Sequence, residues 1–475
     1  MAPTLKVVGS LLAAASTVSA GFSLPTFLYR DVVVVGGGAG GVYSTVRLKE
    51  DYGKSVVLIE KAGRLGGHVS TYDDASTGKS FDFGVQSFND YGPAAAFFER
   101  MGVATAGPAP RLTLNTQFAD FTNGAPVNWT APTPAEVSEA LAKYLNITAP
   151  WESYMLPGWW DFPAPNNIPE DLLLPFREFV AKHGLENAVN RVFQITGMGS
   201  GDMMNQLTIY VIAAFGQHMM RGMLGLEGSV YPASRRNIEI YEKAQTRLGN
   251  DVLYNTVVTG ALRTSLGHVI TAKDNTGKKY VIACDKLLMA IQPTPDNMDP
   301  FGLDLYEQNI LSKAKWTVVH AGLVSHPALP INGSIVNMPI AASPNNYTTL
   351  PVPNYNVRFD YFGQDLFRVM LVGDMNFGTT QAQNMVRDII NKLASTGVIS
   401  ATGSNPGADV QFRAWANHGP CHLHVTEQEL RNGYVQKLYS LQGRRGTWWT
   451  GAAFAVHFQA LVWAFSDTVL QRMFP

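Results

Sequence analysis

Val32, Val33, Val34 and Val35 follow Asp31 as an unbroken apolar run, the pattern of a strand buried on both faces. A glycine-rich turn, 36–41, comes next. Over 42–51 apolar positions return at helical spacing, at Val42, Val46 and Leu48. A second apolar run, 55–59, ends at Glu60. The order predicts strand, tight turn, helix, strand. Farther on, 237–248 reads as an amphipathic helix, 249–258 as a turn and strand, 280–293 as a strand entering a proline turn, and 454–470 as an apolar helix. Residues 186–193 also have helical spacing. The glycines at 197–201 behind them therefore read as a helix-to-helix connector, because a second phosphate loop would need a buried strand before it.

The first turn carries G-x-G-x-x-G at Gly36, Gly38 and Gly41. Gly36 lets the chain turn out of the strand. Gly38 removes a side chain where a pyrophosphate approaches the backbone. Gly41 lets helix and strand pack closely, and the helix N-terminus offers free N–H groups to the phosphates. Glu60 follows Gly41 by 19 residues and ends the second strand, where a carboxylate accepts hydrogen bonds from ribose hydroxyls. With strand, helix and acid in sequence, the motif predicts a dinucleotide site.

The chain has 475 residues, 46% of them hydrophobic, enough for a large core and two or three domains. Its 36 basic and 37 acidic residues leave a net charge of −1, a balance that gives no pull toward nucleic acid or an acidic membrane. The segment 1–20 reads as a secretory signal: Lys6 precedes an apolar stretch, and Val18, Ser19 and Ala20 fit a cleavage site that leaves Gly21 first. N-x-S/T acceptor triplets at Asn128, Asn146, Asn332 and Asn346 fit secretion, since all lie outside the dinucleotide segments. The two cysteines, Cys284 and Cys421, make no disulfide framework. Cys421, His422 and His424 read as plain strand or loop residues, and no metal is expected. The apolar stretch 451–469 could suggest a membrane anchor, but His457, Gln459, Ser466 and Asp467 argue against a span.

Beyond Glu60 the chain continues through Lys61, Arg64, Gly66, Gly67 and His68, and here it resembles the flavin-containing amine oxidase superfamily. The resemblance implies FAD rather than NAD, with Arg64 facing phosphate and Gly66 and Gly67 allowing backbone approach. His68 stands where the family usually has arginine. The segment 81–88 resembles the family's D-x-G stretch, in which Gly84 would make room for the isoalloxazine and Gln86 would reach its polar edge. Val257 matches a valine whose backbone meets the adenine. Gly451 and Ala452 match a turn that starts a helix aimed at the flavin, and Trp415 and His418 match a late strand beside it. His418 is the candidate proton acceptor; Trp415, Trp448 and Trp449 are candidate pocket walls.

The implied fold is α/β: a Rossmann-like FAD-binding domain of the amine oxidase type, with an inserted α+β substrate domain. Its segments are the signal 1–20; FAD domain 21–94, 226–295 and 410–475; and substrate domain 95–225 and 296–409. The secretory leader and the 64–68 and 82–87 motifs look most like the fungal group around β-cyclopiazonate dehydrogenase. That group implies a secreted FAD-dependent oxidase or dehydrogenase of a small hydrophobic metabolite, indolic or amine-like, in secondary-metabolite biosynthesis, acting by oxidation or oxidative cyclisation, with molecular oxygen or another acceptor reoxidising the flavin. Position 68 is also similar to FAD-dependent isomerases of polyunsaturated fatty acids. A secreted flavin-binding protein without turnover is the third possibility. No residue matches the cysteine of covalent flavin attachment or the lysine that many members hold near the ring.

Overall fold

The computed structural model describes residues 24–108, 112–401 and 405–475; the 1–20 signal lies outside them. Along the chain, β1 (Thr26–Val35), α1 (Ala39–Glu50) and β2 (Val56–Ile59) form the first unit, followed by a hairpin of β3 (Thr71–Asp74) and β4 (Lys79–Asp82). β5 (Asn115–Ala119) and β6 (Pro126–Val127) leave this unit and lead to a helical segment that includes α2 (Glu186–Ile195) and α3 (Thr208–Ala214). β7 (Val252–Leu253), β8 (Thr256–Thr264), β9 (Gly267–Asp274) and β10 (Lys279–Met289) follow. Next come β11 (Lys315–Ser325), β12 (Gly333–Asn337), β13 (Tyr355–Gly363), β14 (Leu366–Gly373), α4 (Thr379–Ser395) and β15 (Gln411–His424). The chain closes with α5 (Tyr434–Tyr439), β16 (Thr447–Trp449) and α6 (Gln459–Met473).

Two seven-stranded sheets result. The first runs β7-β2-β1-β10-β9-β8, with β16 also paired to β10. Its centre is parallel, and β8, β9 and β10 are antiparallel. Val32 to Val35 lie at its middle, buried between α1 and the opposite face, as an unbroken apolar run requires. α6 packs across α1, tied by the Tyr43 hydroxyl donating to Asp467 and by the Arg47–Asp467 ion pair. Beneath the sheet, Arg263 of β8 is fully buried and forks onto Glu307, with Phe301 carbonyl and the Thr447 hydroxyl accepting from two further donors. That satisfies a charge that would otherwise be costly to bury.

The second sheet runs β15-β11-β14-β13-β12-β5-β6 and packs its own core against α4. The sheets divide the chain as a Rossmann-like domain with a second α+β domain. One stretch differs from the sequence expectation. β15 begins the segment 410–475 but pairs along its length with β11, so it stands in the second sheet, and only the chain after it returns to the first. Residues 197–200 form a short buried 3-10 turn between α2 and α3, a connector. Among the described residues no helix is long and apolar enough to cross a membrane.

Candidate functional site

The glycine turn leaves β1 and enters α1 at Gly38, which caps the helix without a side-chain bond. A Cβ on Gly41 would lie 1.8 Å from the Gly36 carbonyl oxygen, so only glycine lets α1 close onto β1. The N–H groups of the first helical turn have no carbonyl partner within the helix, and they carry its positive end. Gly37 N–H donates to Glu60 at 2.6 Å and Ala62 N–H donates to its other oxygen at 2.7 Å. The carboxylate is thus held at the tip of β2.

The 64–68 stretch lies directly over this turn. Gly66 N–H donates to Gly37 carbonyl at 2.9 Å. A Cβ on Gly67 would sit 3.0 Å from Gly38 Cα, whereas one on Gly38 would meet nothing nearer than 4.0 Å. The open side of Gly38 therefore borders free space. Arg64 folds over its own loop, with bonds to the Leu65 and Gly67 carbonyls, and Lys61 is exposed beside it. Asn255 and Thr256 N–H groups donate to the Ala62 and Glu60 carbonyls, which brings Val257, half exposed at 50%, to the same rim.

The 81–88 segment packs against 68–70. A Cβ on Gly84 would lie 2.3 Å from the His68 carbonyl oxygen, so backbone packing by itself demands glycine there. Gln86 is exposed, and its side-chain amide donates to the Asp82 carbonyl at 3.2 Å.

Four histidines converge on the far wall of the cleft. The His68 ring lies 4.7 Å from that of His418 on β15. His422, also on β15, stacks on His457 with centroids 3.8 Å apart and planes at 27°. Surrounding protein pushes the His68 pKa down although its ring is open to solvent, as expected on the wall of a deep cleft. Burial holds His418 well below its ordinary value, with His68, His320 and Arg64 adding repulsion. His422 is also held well below, by burial and then by His457, His424 and His68. Burial followed by His68 pushes His457 down to about 3. Near neutral pH all four are uncharged imidazoles, each able to accept one hydrogen bond and donate another.

Sequence reasoning singled out His68 and His418 but missed His422 and His457. His422 looked like an ordinary strand residue, and His457 counted only as a polar break in an apolar run. Neither carries a local signal, because each gains its neighbour from a distant segment.

His422 and His457 also line a cavity of about 480 Å³ of empty space, its mouth included, between α3, α5 and the turn before α6. Ala452 and Ala453 form its edge. The turn begins at Thr450, which packs against Gly40 and donates its N–H to Met289 carbonyl. Gly451 follows at φ +104°, with open space where a Cβ would be. The helix expected from 454 starts later, at Gln459, because Phe454 turns back to bond the Gly451 carbonyl.

None of the three tryptophans expected in the pocket wall lines this cavity. Trp415 lies on the opposite face of β15. It donates to His320, whose other nitrogen bonds Phe377 carbonyl, and it packs in the core beside α4. Trp448 packs against Gly443 and Lys286, toward the far end of α6. Trp449 is fully buried and stacks on Phe454 at 5.5 Å, supporting the turn from beneath. β-strand alternation and one intervening ring move all three off the wall. The aromatic wall is instead Trp159, Tyr210, Tyr434 and Tyr439. The two cysteines are free and buried, their thiols pushed up to about 12 by burial.

Comparison with known proteins fits this arrangement. Residues 34–101 match the NAD(P)-binding Rossmann-like domain. Over 453 residues the chain is 32% identical to FAD-dependent oxidoreductase pigF of Monascus ruber, covering 94% of this chain and 92% of that one. It is 30% identical over 469 residues to β-cyclopiazonate dehydrogenase of Aspergillus flavus, covering 98% of each. Among solved structures it matches a CLA-producing fatty acid isomerase from P. acnes at TM-score 0.70 and 18% identity, over 94% of this chain and 99% of that one. It matches putrescine oxidase bound to putrescine at TM-score 0.61 and 14% identity, with the same coverage. At those identities the two structures share the fold.

Proposed function

The chain belongs to the family of FAD-dependent oxidoreductases that includes β-cyclopiazonate dehydrogenase, and from that premise we propose that it oxidises a small hydrophobic metabolite in a secondary-metabolite route. The observation that carries the reading is the cradle itself: Gly38 open on one side, Gly67 within touching distance of it, and Glu60 held between two backbone N–H groups. These residues fit FAD. Gly36, Gly38, Gly41 and the α1 N-terminus suit the pyrophosphate, and Glu60 the ribose hydroxyls. Lys61, Arg64, Gly66, Gly67 and His68 suit the phosphate and ribityl side, Val257 the adenine, and Gly451 and Ala452 the polar side of the ring.

FAD, when bound, supplies the two-electron acceptor. The chain's own residues do the rest. The helix start neutralises phosphate charge. The cavity between α3 and α5 keeps water from the substrate. His418, uncharged and beside His68, is positioned to hold or accept a proton. Molecular oxygen or another acceptor then takes the electrons from the protein.

The test is anaerobic bleaching of the purified yellow protein by fractionated metabolite extracts, followed by mass analysis. The expected product is two hydrogens lighter than its substrate, with reduced flavin in equal amount, and admitting oxygen or another acceptor should then restore the yellow colour with peroxide or reduced acceptor in the same amount. Protein that purifies without flavin overturns the reading. A product of unchanged mass with no acceptor consumed replaces it with isomerisation, and flavin that no extract bleaches leaves a binding protein without turnover.

The proposal extends to the secretory pathway. The signal at 1–20 supports it, as does the exposure of Asn128, Asn146, Asn332 and Asn346, all reachable by a glycosyl transferase. N-terminal sequencing of protein from the culture medium should begin at Gly21; intact Met1 in the cytosolic fraction would overturn it.

A further inference from the structure

The face of the second sheet turned away from α4 carries two arginines on neighbouring strands, Arg358 of β13 and Arg368 of β14. A single carboxylate, Asp360 of β13, answers both. Arg358 Nε stands 2.7 Å from it and the Arg368 guanidinium 3.4 Å. Ser334 already donates to the other Asp360 oxygen at 2.5 Å. Among the described residues no second carboxylate pairs with either arginine, so two positive charges share one negative. Hydrogen bonds are short in supply as well. Arg358 makes none in good alignment, and Arg368 makes only the long one to Asp360. Only 11% and 10% of the two side chains are exposed. The Nε atoms are sealed without a partner; the terminal nitrogens are not sealed, and they share in the surface that stays open. Burial, then Arg358, pushes the Arg368 pKa from 12.5 down to about 10, as for a guanidinium short of negative charge. Arg263 is the opposite case, with a carboxylate fork and two further acceptors of its own.

The surroundings are apolar. Arg368 lies over the Phe362 ring at 5.3 Å, and Phe81 of β4 lies 6.2 Å beyond. Leu323 stands across from Arg368, and Ala414 across from Leu323. Ala416 and then His418 follow on the same face of β15, roughly 15 Å from Arg368 by strand spacing and rise.

We propose that Arg358 and Arg368 bind the acidic group, a carboxylate or an enolate, of a small apolar molecule whose other end lies toward His418. The chemistry selects that group. One unit of negative charge is missing, so a monoanion balances the site and a phosphate dianion overshoots it. The paired oxygens of a carboxylate or a 1,3-dicarbonyl enolate match a guanidinium fork whose donors are free. An ammonium ion would add a third like charge. A neutral amide accepts bonds but leaves the buried charge uncompensated. The inference rests on the oxidoreductase reading only for calling this molecule the substrate.

The test is calorimetric titration of the flavin-loaded full chain at neutral pH with three probes of one ring size: 2-naphthoate, the uncharged 2-naphthamide, and 2-naphthylmethylamine, a cation at that pH. The expected result is 2-naphthoate binding about tenfold or more tightly than either of the others. In Arg358→Gln that preference should shrink by about tenfold, with naphthamide affinity and flavin content unchanged. Arg358→Lys keeps the charge and loses the fork, and should recover part of it. Asp360→Asn removes the one counter-charge. Its melting temperature should fall, and saturating 2-naphthoate should raise it by more than in the wild type. Equal affinity for the three probes, preference for the amine, no measurable binding of 2-naphthoate, or an undiminished preference in Arg358→Gln overturns the proposal, and the wild-type titration decides the first three even if no variant folds. Selective naphthoate binding by a protein that oxidises nothing would defeat the functional reading alone. A bleaching substrate without an acidic group would defeat this inference alone.

Discussion

At the glycine turn, the groups that shape the cradle lie within one stretch of chain, from Gly36 to His68; around the cavity they come from α3, β15, α5 and the turn before α6. The first region is built by backbone. Its positions are defined by what a Cβ would hit, and tolerance there is close to all or none. The second is built by side chains brought together from distant segments, each supported by its own secondary element. Changes there should be graded, because one wall can shift while the others hold. The contrast separates residues that assemble the molecule from residues that choose what it binds.

The largest effect should come from Gly41→Val. The added carbon would meet the Gly36 carbonyl at 1.8 Å and drive α1 off β1. A loss above about 4 kcal/mol is expected, seen as absent flavin absorbance and a collapsed melting transition. A variant that keeps full flavin would break the comparison at its root.

Glu307→Gln comes next. It strands the Arg263 guanidinium, now doubly bonded to Glu307 in a dry core beneath the first sheet. A cost of about 3–5 kcal/mol is expected in denaturant midpoint, with flavin content unaltered. Lost flavin would mean that scaffold and cofactor cradle are not separable.

Acid should weaken the protein through buried histidines. His268 of β9 has its pKa pushed from 6.5 down to about 4, mainly by burial. Its folded value lies below its unfolded one, so the unfolded chain takes up the proton first. The stabilisation is whole above about pH 6.5 and is lost as pH falls toward 4, by roughly 3 kcal/mol for this one group. His268→Gln, which can still donate to the Gly446 carbonyl, should flatten part of the slope in denaturation midpoints taken across that window. An unchanged slope would show that His268 is not neutral in the fold.

Trp415→Leu tests the face of β15. Trp415 packs beside α4 and bonds His320, so the change should cost about 1–3 kcal/mol and leave KM as it was. A raised KM would return Trp415 to the pocket wall. Smallest of all, replacing Asn128 and Asn146 by Gln should leave the melting temperature within about a degree, since both are exposed and neither holds a left-handed backbone, unlike Asn332 and Asn346. It should also reduce any endoglycosidase-sensitive mobility shift.

Much of the first region was legible before any coordinates. Valines in sequence can only be a strand covered on both faces, and three glycines at fixed spacing answer local steric demands that no distant residue can waive. Arg64 to His68 were legible on a different ground, their resemblance to the amine oxidase superfamily, and the fold lays them over the same turn. Gly84 shows the limit of that logic. A glycine was required there, but its motive is the close pass of the 68–70 backbone, which spacing alone does not reveal. Trp415, Trp448 and Trp449 show another limit. Their position beside the site was readable, but which way each ring points depends on bulges in β15 and on what packs behind β16.

By itself, the sequence determined the strand–turn–helix–strand unit, the glycine contacts that let it close, and the carboxylate at its tip. Each of these follows from backbone sterics and hydrogen bonding over a few tens of residues. Only the tertiary structure decided that β15 joins the second sheet, that His422 meets His457, and that Tyr434 lines one cavity with them. Those are contacts between segments far apart in the chain. They are set by how two sheets and their helices bury a shared core, and no local pattern has to record them.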